Sequence, residues 1–316
     1  MVFLGGNEKQ EKHLFRLCCP IAQESVYVPE YTLCTTHELA EQPPPLYNEG
    51  MDTLCHSPRN VWHGKGTVLH NEHLTEDTWR LALRTSETLP SVRAGQFVML
   101  RLSNRTDPLL GRPLAIYRAE SHSLEVVYVV VGKMTRRLAE VQTGESLEFW
   151  MPLGNGFPDK DVQHTILVAG GIGQTPFLLF CQHPGHHVSL LYGARTASRI
   201  ACMDDFRQLG IEPRIATDDG SEGDRGLVTD LIEQVYQPGE TTQLLCCGPP
   251  KMLHSAFLIA QKLEIPCLVS LETPMSCGLG ICFGCVVSYR ENETWDYRRT
   301  CIDGPVFDAY KLRWGL

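Results

Sequence analysis

The chain has 316 residues, which at roughly 150 per domain corresponds to two or three domains, and its 43% apolar and 21% charged side chains form an ordinary soluble mixture. A net charge of −9 leaves no basic surface for a phosphate backbone, so nucleic acid drops out as a partner. No apolar run approaches the roughly 18 residues of a membrane span, and the longest, such as Leu124 to Val131, are strand-sized. Thirteen cysteines, an odd number, follow a start (MVFLGGNEKQEK) without the basic and apolar parts of a signal peptide. A reducing, cytoplasmic setting is expected, with the cysteines as thiols or metal ligands.

Residues 1–60 show no sustained period and include Pro43-Pro44-Pro45. They read as an extension of unknown role, with Met51 as an alternative start. Cys18, Cys19, Cys34 and Cys55 lack the close two-residue spacing of zinc ligands. Residues 61–160 read as short strands. In Asp77 to Arg84, Trp79, Leu81 and Leu83 face one way and Arg80 and Arg84 the other. Similar runs at Gln96–Leu102, Pro113–Arg118, Leu124–Val131 and Ser146–Met151, with one short helix at Thr135–Val141, predict a small antiparallel barrel.

Over residues 161–266 apolar strands alternate with helical stretches. The strands are Thr165–Ala169, Val188–Tyr192, Pro213–Thr217 and Gln243–Cys247, which predicts an open parallel α/β sheet. Gly170-Gly171-Ile172-Gly173-Gln174-Thr175-Pro176 follows the first of these. Its glycines admit a pyrophosphate to the backbone, with Thr175 expected as helix cap and Pro176 as first helical residue. A second turn, Cys247-Gly248-Pro249, ends a later strand, and two such turns on one rim frame a dinucleotide. Cys247 reads equally as a nicotinamide contact or as a small apolar strand end.

Residues 267–316 are rich in cysteine and glycine. Cys277-x4-Cys282-x2-Cys285-x15-Cys301 has the order of plant-type [2Fe–2S] ligation, whereas zinc favours two short-spaced pairs and only Cys282 and Cys285 form one. Gly278, Gly280 and Gly284 are expected to supply the positive φ angles of a tight loop. A nicotinamide gives two electrons together and such a cluster takes one, so a flavin is needed between them. The barrel is the place for it, at Arg112-Pro113-Leu114-Ala115 and Gly132-Lys133-Met134-Thr135. No catalytic acid or base is required.

Barrel, Gly-rich α/β region and C-terminal cysteine loop, in that order, resemble the ferredoxin reductase superfamily, and within it the electron transfer subunits of NAD-dependent dihydroorotate dehydrogenase B. The likeness runs from about Gly66 onward. It rests on Gly95-Gln96-Phe97, the Arg112 strand, Pro152 to Phe157, the Gly170 and Cys247 turns, and Cys277 to Cys301 followed by Asp303-Gly304-Pro305-Val306-Phe307. It implies FAD at Arg112 to Ala115, Val127, Tyr128, Val129, Met134 and Thr135. It implies NAD at Gly170, Gly171, Gly173, Thr175, Cys247, Gly248 and Pro249, and a [2Fe–2S] cluster on Cys277, Cys282, Cys285 and Cys301. It also implies a heteromer with an FMN-containing catalytic subunit that oxidises dihydroorotate in pyrimidine synthesis.

Three positions depart from that pattern: Ala115 for Ser, Val129 for Arg and Met134 for Gly. The first removes a hydrogen bond worth about 0.5–1.5 kcal/mol and the second a charged one worth about 1.5–3 kcal/mol. Met134 puts a side chain where the turn was bare. Arg195 and Arg199, after the second parallel strand, suit a 2′-phosphate, whereas the resemblance favours NAD. The alternatives are a reductase subunit of another NAD(P)H-linked ferredoxin reductase, sulfhydrogenase or sulfite reductase complex, and a zinc-stabilised interaction subunit without redox function.

Overall fold

The computed structural model describes residues 61–103, 107–158, 160–182, 185–291 and 294–315. The expectations for residues 1–60 lie outside them. Six antiparallel strands close a barrel: β1 (Trp62–His73), β2 (Thr78–Arg84), β3 (Phe97–Leu102), β4 (Arg112–Glu120), β5 (Ser123–Val129) and β6 (Ser146–Leu153), in the spatial order β1-β2-β5-β4-β3-β6. Alternation sends Leu81, Leu83, Val98, Leu100, Leu124 and Val126 inward, where they are fully buried. Between β5 and β6, α1 (Lys133–Ala139) plugs one end of the barrel with Met134 and Leu138.

The second body is a seven-stranded sheet in the order β10 (Asp224–Arg225), β9 (Arg214–Thr217), β8 (His187–Ala194), β7 (His164–Gly170), β11 (Thr242–Cys247), β12 (Cys267–Ser270) and β15 (Val306–Asp308). All neighbours are parallel except β12 and β15. β7 and β11 are buried along nearly their whole length because both faces are covered, which is why they read as unbroken apolar runs. Chain order steps outward from β7 in one direction to β9 and in the other through β11 to β12. The reversal opens a crevice beyond the carboxyl ends of β7 and β11, where open α/β sheets bind their ligands.

The segment expected as a separate cluster region from residue 267 is divided. Its ends supply β12 and β15 to the large sheet, and only the cysteine loop with the hairpin β13 (Val286–Glu291) and β14 (Thr294–Arg299) stands apart. Antiparallel pairing of Leu268 to Ser270 with Val306 to Asp308 holds both ends of the loop at one sheet edge.

Barrel and sheet share a core. Tyr117, Val127 and Phe157 from the barrel side pack with Leu167, Phe177, Tyr192 and Phe206 from the sheet side. α3 (Met203–Gln208) adds a polar clasp through Asp205, which is 8% exposed. Its carboxylate accepts the Tyr117 hydroxyl at 2.6 Å and Arg118 Nη2 at 2.8 Å, and it pairs with Arg80. Both guanidinium groups lie over the Tyr117 ring, at 5.4 and 5.5 Å from its centre. Burial alone would raise the Asp205 pKa, but the Tyr117 hydroxyl and the two cations outweigh it and hold the carboxyl below its ordinary range.

Candidate functional site

A cavity of about 840 Å³ opens at the strand-order reversal, between the rim of the sheet and the barrel. Gly170, Gly171 and Ile172 form one wall and Gly248 and Pro249 a second, while Thr78 and Val129, register partners on β2 and β5, close the barrel side. The two glycine turns touch. A Cβ on Gly173 would stand 2.1 Å from the Cys247 carbonyl, and one on Gly248 2.9 Å from the Gly170 nitrogen. Gly171, at φ +55°, has nothing within 4 Å of its Cβ direction and leaves the backbone bare toward the cavity. These are the cradles a pyrophosphate needs. Gln174 also lines the cavity and is 1% exposed, with Oε1 buried and unpartnered. An orphaned acceptor here suits a donor such as an amide or hydroxyl of a bound nucleotide.

Thr175 does not cap a helix. Residues Gly171–Gln174 form a 3₁₀ turn, and the buried Thr175 hydroxyl donates back to the Ile172 carbonyl at 3.0 Å. The α-helix starts only at Phe177 and ends at Gln182 (α2), because the glycine turn must first fold over the end of β11. Cys247 is 6% exposed, and burial, with the charge of Glu272 next, pushes its thiol up to about 12. Glu272 and Leu271 face the cavity directly and were not singled out in the sequence, since nothing in their spacing marks them. Arg195 and Arg199 both line the cavity, and Arg199 is bound there to Asp77 at 2.7 Å and Glu76 at 3.6 Å.

The expected flavin positions divide by side-chain direction. Arg112, Pro113, Leu114 and Ala115 are four half-buried residues in succession on β4. The Arg112 guanidinium is drawn to the carbonyls of Leu110 and Gly111, at 3.1 and 3.0 Å. Val129 faces the cavity and Val127 the shared core. Tyr128 points into the barrel, where its hydroxyl donates to Asn71 Oδ1 at 3.0 Å. Met134 also points inward and is 1% exposed, so its side chain fills the barrel end and does not obstruct the turn above it. The Thr135 hydroxyl oxygen accepts the amides of Val131 and Gly132 at 3.0 and 3.1 Å, fixing that turn, and a Cβ on Gly132 would meet nothing within 4 Å. Tyr128, Met134 and Thr135 can therefore serve a flavin only through backbone placement. Of the expected flavin positions Val129 lines the cavity and Arg112 to Ala115 do not, and Val129 brings no side-chain cation to a flavin's phosphates.

The four cysteines converge in two pairs. Cys277 and Cys282 have sulfurs 3.4 Å apart, and Cys285 and Cys301 3.2 Å apart. Thiolate bonds of about 2.3 Å place two sulfurs of one tetrahedral ion about 3.7 Å apart, so each pair matches one metal. Among the described residues, no three cysteine sulfurs lie within 4.8 Å of one another. Two ions side by side fit this spread better than one zinc. Gly278 and Gly280 take φ +71° and +76°, with Met99 and Ile302 filling the space of a Cβ. Gly284 does not; Phe283 takes the positive φ, at +53°, while a Cβ on Gly284 would touch the Cys282 sulfur at 3.6 Å. Burial works against ionisation of Cys277, but the amides of Leu279, Cys282 and Ile281 prevail and bring it down to about 7. Cys301 goes the other way, up to about 12, through burial and the adjacent Cys285.

The loop is docked on the barrel. Cys285 and Cys301 pack with Phe97, Met99 and Leu153, and Trp150 Nε1 donates to the Cys277 carbonyl at 3.3 Å. Asn155 fastens the base of the loop: its amide donates to the carbonyls of Asp303 and Val306, at 3.0 and 2.8 Å, and its Oδ1 accepts the Val306 amide at 3.1 Å. The Pro152 to Phe157 and Asp303 to Phe307 motifs are thus two halves of one clasp. Met99, against Gly278, is the register partner of Pro113, so the cysteine loop sits one strand away from Arg112 to Ala115.

Residues 272–313 match the family described as the iron–sulfur cluster binding domain of dihydroorotate dehydrogenase B, and residues 167–257 the oxidoreductase NAD-binding domain. The dihydroorotate dehydrogenase B (NAD(+)) electron transfer subunit of Caldanaerobacter subterraneus subsp. tengcongensis is 33% identical over 79% of this chain and 98% of its own length. That of Bacillus caldolyticus is 35% identical over 77% and 95%. A solved NADH-dependent reduced ferredoxin–NADP oxidoreductase superposes with a TM-score of 0.71 at 25% identity, covering 79% of this chain and 90% of that one. The chain is an oxidoreductase subunit for electron transfer and belongs to the family of dihydroorotate dehydrogenase B (NAD(+)) electron transfer subunits.

Proposed function

We propose that this chain carries electrons between an FMN-containing dihydroorotate dehydrogenase subunit and NAD, with a [2Fe–2S] cluster on Cys277, Cys282, Cys285 and Cys301 and FAD between barrel and sheet. The observation that carries it is the placement of the cysteine loop against β3, one strand from the flavin stretch of β4, while the other side of the barrel opens on the nucleotide cavity. A bound flavin would supply the exchange between single electrons on the cluster side and a hydride on the nicotinamide side. The protein contributes position. Gly170, Gly171, Gly173, Gly248 and Pro249 admit the dinucleotide backbone, and Thr135 and Gly132 shape the turn beside the flavin. Cys247 is buried behind the Gly248 turn and is not part of the cavity wall; burial keeps its thiol protonated.

NAD is proposed from the family likeness; Arg199 is already met by Asp77 and Glu76, and Arg195 and Asp218 stand on the cavity wall with opposite charges, so the wall itself does not select between the two nucleotides. Cys282 is exposed and Ile281 and Phe283 beside it are 76% and 63% exposed, so the partner docks over this edge of the loop. Among the described residues no helix is long and apolar enough to cross a membrane, and the free thiols suit the cytoplasm. Co-expression with the FMN subunit tests the proposal. A stable complex that reduces NAD with dihydroorotate is expected, with each subunit alone unable to couple the two. Coupling instead to a ferredoxin, hydrogenase or sulfite reductase partner would overturn it.

A further inference from the structure

We propose a second metal site, for a zinc-class divalent cation, held by His164, His187 and Glu240 at the amino-terminal rim of the parallel sheet, opposite the cofactor cavity. Register makes the site. His164 and His187 open β7 and β8 and are direct partners, and β11, which pairs with β7 on its other side, is preceded by Glu240. Three adjacent strands therefore bring two imidazoles and a carboxylate together, with one ligand atom from each residue inside a mutual distance of 4.8 Å.

The polar accounting at this corner is incomplete without a cation. His164 is 0% exposed, and its Nδ1 has no hydrogen-bond partner. Oε2 of Glu240 is buried and equally unpartnered, and the two atoms face each other across 3.9 Å, too far for a hydrogen bond. The other nitrogen of His164, Nε2, lies 2.9 Å from the Ser189 hydroxyl. If Nε2 carries the proton and donates it to Ser189, the Nδ1 lone pair is directed at the carboxylate, which is unfavourable for two acceptors alone and is the arrangement of a metal-ligating histidine with its outer partner. His187 stacks on His164 with ring centres 4.4 Å apart and a ring nitrogen within 4.8 Å of the other two ligand atoms; being exposed, its ring is free to rotate out of the stack so that its lone pair meets the same ion. His186 is not available, since its Nε2 is engaged with Thr165 Oγ1 at 2.7 Å.

Two imidazoles and one carboxylate form a ligand set typical of zinc. A metal there staples the amino ends of β8, β7 and β11 and takes no part in electron transfer. The test uses the full-length, iron-loaded protein, stripped with a mild chelator and titrated with Zn²⁺ against a fluorescent zinc indicator. One Zn²⁺ per chain is expected with iron content unchanged. His187→Ala and Glu240→Gln should each weaken binding at least tenfold, and Ser189→Ala by about 10–100-fold. His187 is exposed, so its variant keeps the fold and isolates the metal contribution. No zinc retained by the wild type, or equal retention by His187→Ala and Glu240→Gln, overturns the site. Neither result bears on the cysteine loop, whose iron is measured in the same samples.

Discussion

Cys282→Ser should abolish the visible absorbance of the iron–sulfur cluster while leaving flavin bound, and should slow electron passage from NADH to the partner subunit at least about a hundredfold. A serine hydroxyl is far more basic than a thiol and does not supply the anionic ligand, so the ion shared with Cys277 loses half of its protein ligation. Position makes this variant the clean one. Cys282 is exposed and contributes nothing to the packing that docks the loop, whereas Cys285 and Cys301, at 2% and 1% exposed, are part of the small core with Phe97, Met99 and Leu153. Cys301→Ser would disturb the seating of the loop as well as its ligation. Reduction of the flavin by NADH does not pass through the loop and should be unchanged in Cys282→Ser. Normal cluster absorbance in that variant would refute the ligand assignment.

Asp205→Ala should cost about 3–5 kcal/mol of stability, because it leaves Arg80, Arg118 and the Tyr117 hydroxyl without their shared acceptor at a buried contact. At about 2–4 °C per kcal/mol for a folded unit of this size, the thermal midpoint should fall by roughly 6–20 °C. The pH dependence carries the sign. The folded-state pKa of Asp205 lies below its unfolded value, so its contribution is complete above the unfolded value of about 3.9 and is lost as pH falls through the folded value. The stability gap between wild type and Asp205→Asn should therefore be constant from pH 5 to 8, a window set by that value of about 3.9, and narrow below about pH 4. A gap that is already closing at pH 6 would show that the clasp is not ionic. Chemical denaturation monitored across this range measures both.

The cluster ligands were legible because their information is local: a four-residue gap, a two-residue gap and small residues between them describe one loop. The identity of the strained residue was not. Gly284 was the natural candidate, yet Phe283 adopts the positive φ where the chain sends the Cys282 sulfur toward Cys277 and the Cys285 sulfur toward Cys301. The same limit governs the barrel. Period-two alternation located the strands, but whether Tyr128 faces a ligand or the barrel interior depends on strand register, and for Met134 on how α1 seats in the barrel end; both went inside. Asp205 is separated from Arg80 by 125 residues, and His164 from His187 and Glu240 by strands whose pairing only the folded sheet reveals. The return of Val306–Asp308 to the large sheet was hidden for a similar reason, since three residues are too few to show a period.

The family resemblance also left a conflict that the structure resolves in part. Met134 in place of glycine looked like an obstacle at the flavin turn, but its side chain is buried in the barrel core and the turn stays open at Gly132. Val129 in place of arginine faces the cavity and leaves that wall apolar. Val129→Arg is therefore expected to tighten flavin retention, measured as flavin left on the protein after gel filtration.

Two irons held by the C-terminal cysteines are expected to be in electronic contact with a flavin that NADH reduces. An anaerobic visible spectrum of the purified full-length chain, taken before and after addition of NADH, tests it most directly. Superposed flavin and [2Fe–2S] bands that both bleach on addition are the predicted result. A colourless protein, or one whose bands do not respond to NADH, would contradict it.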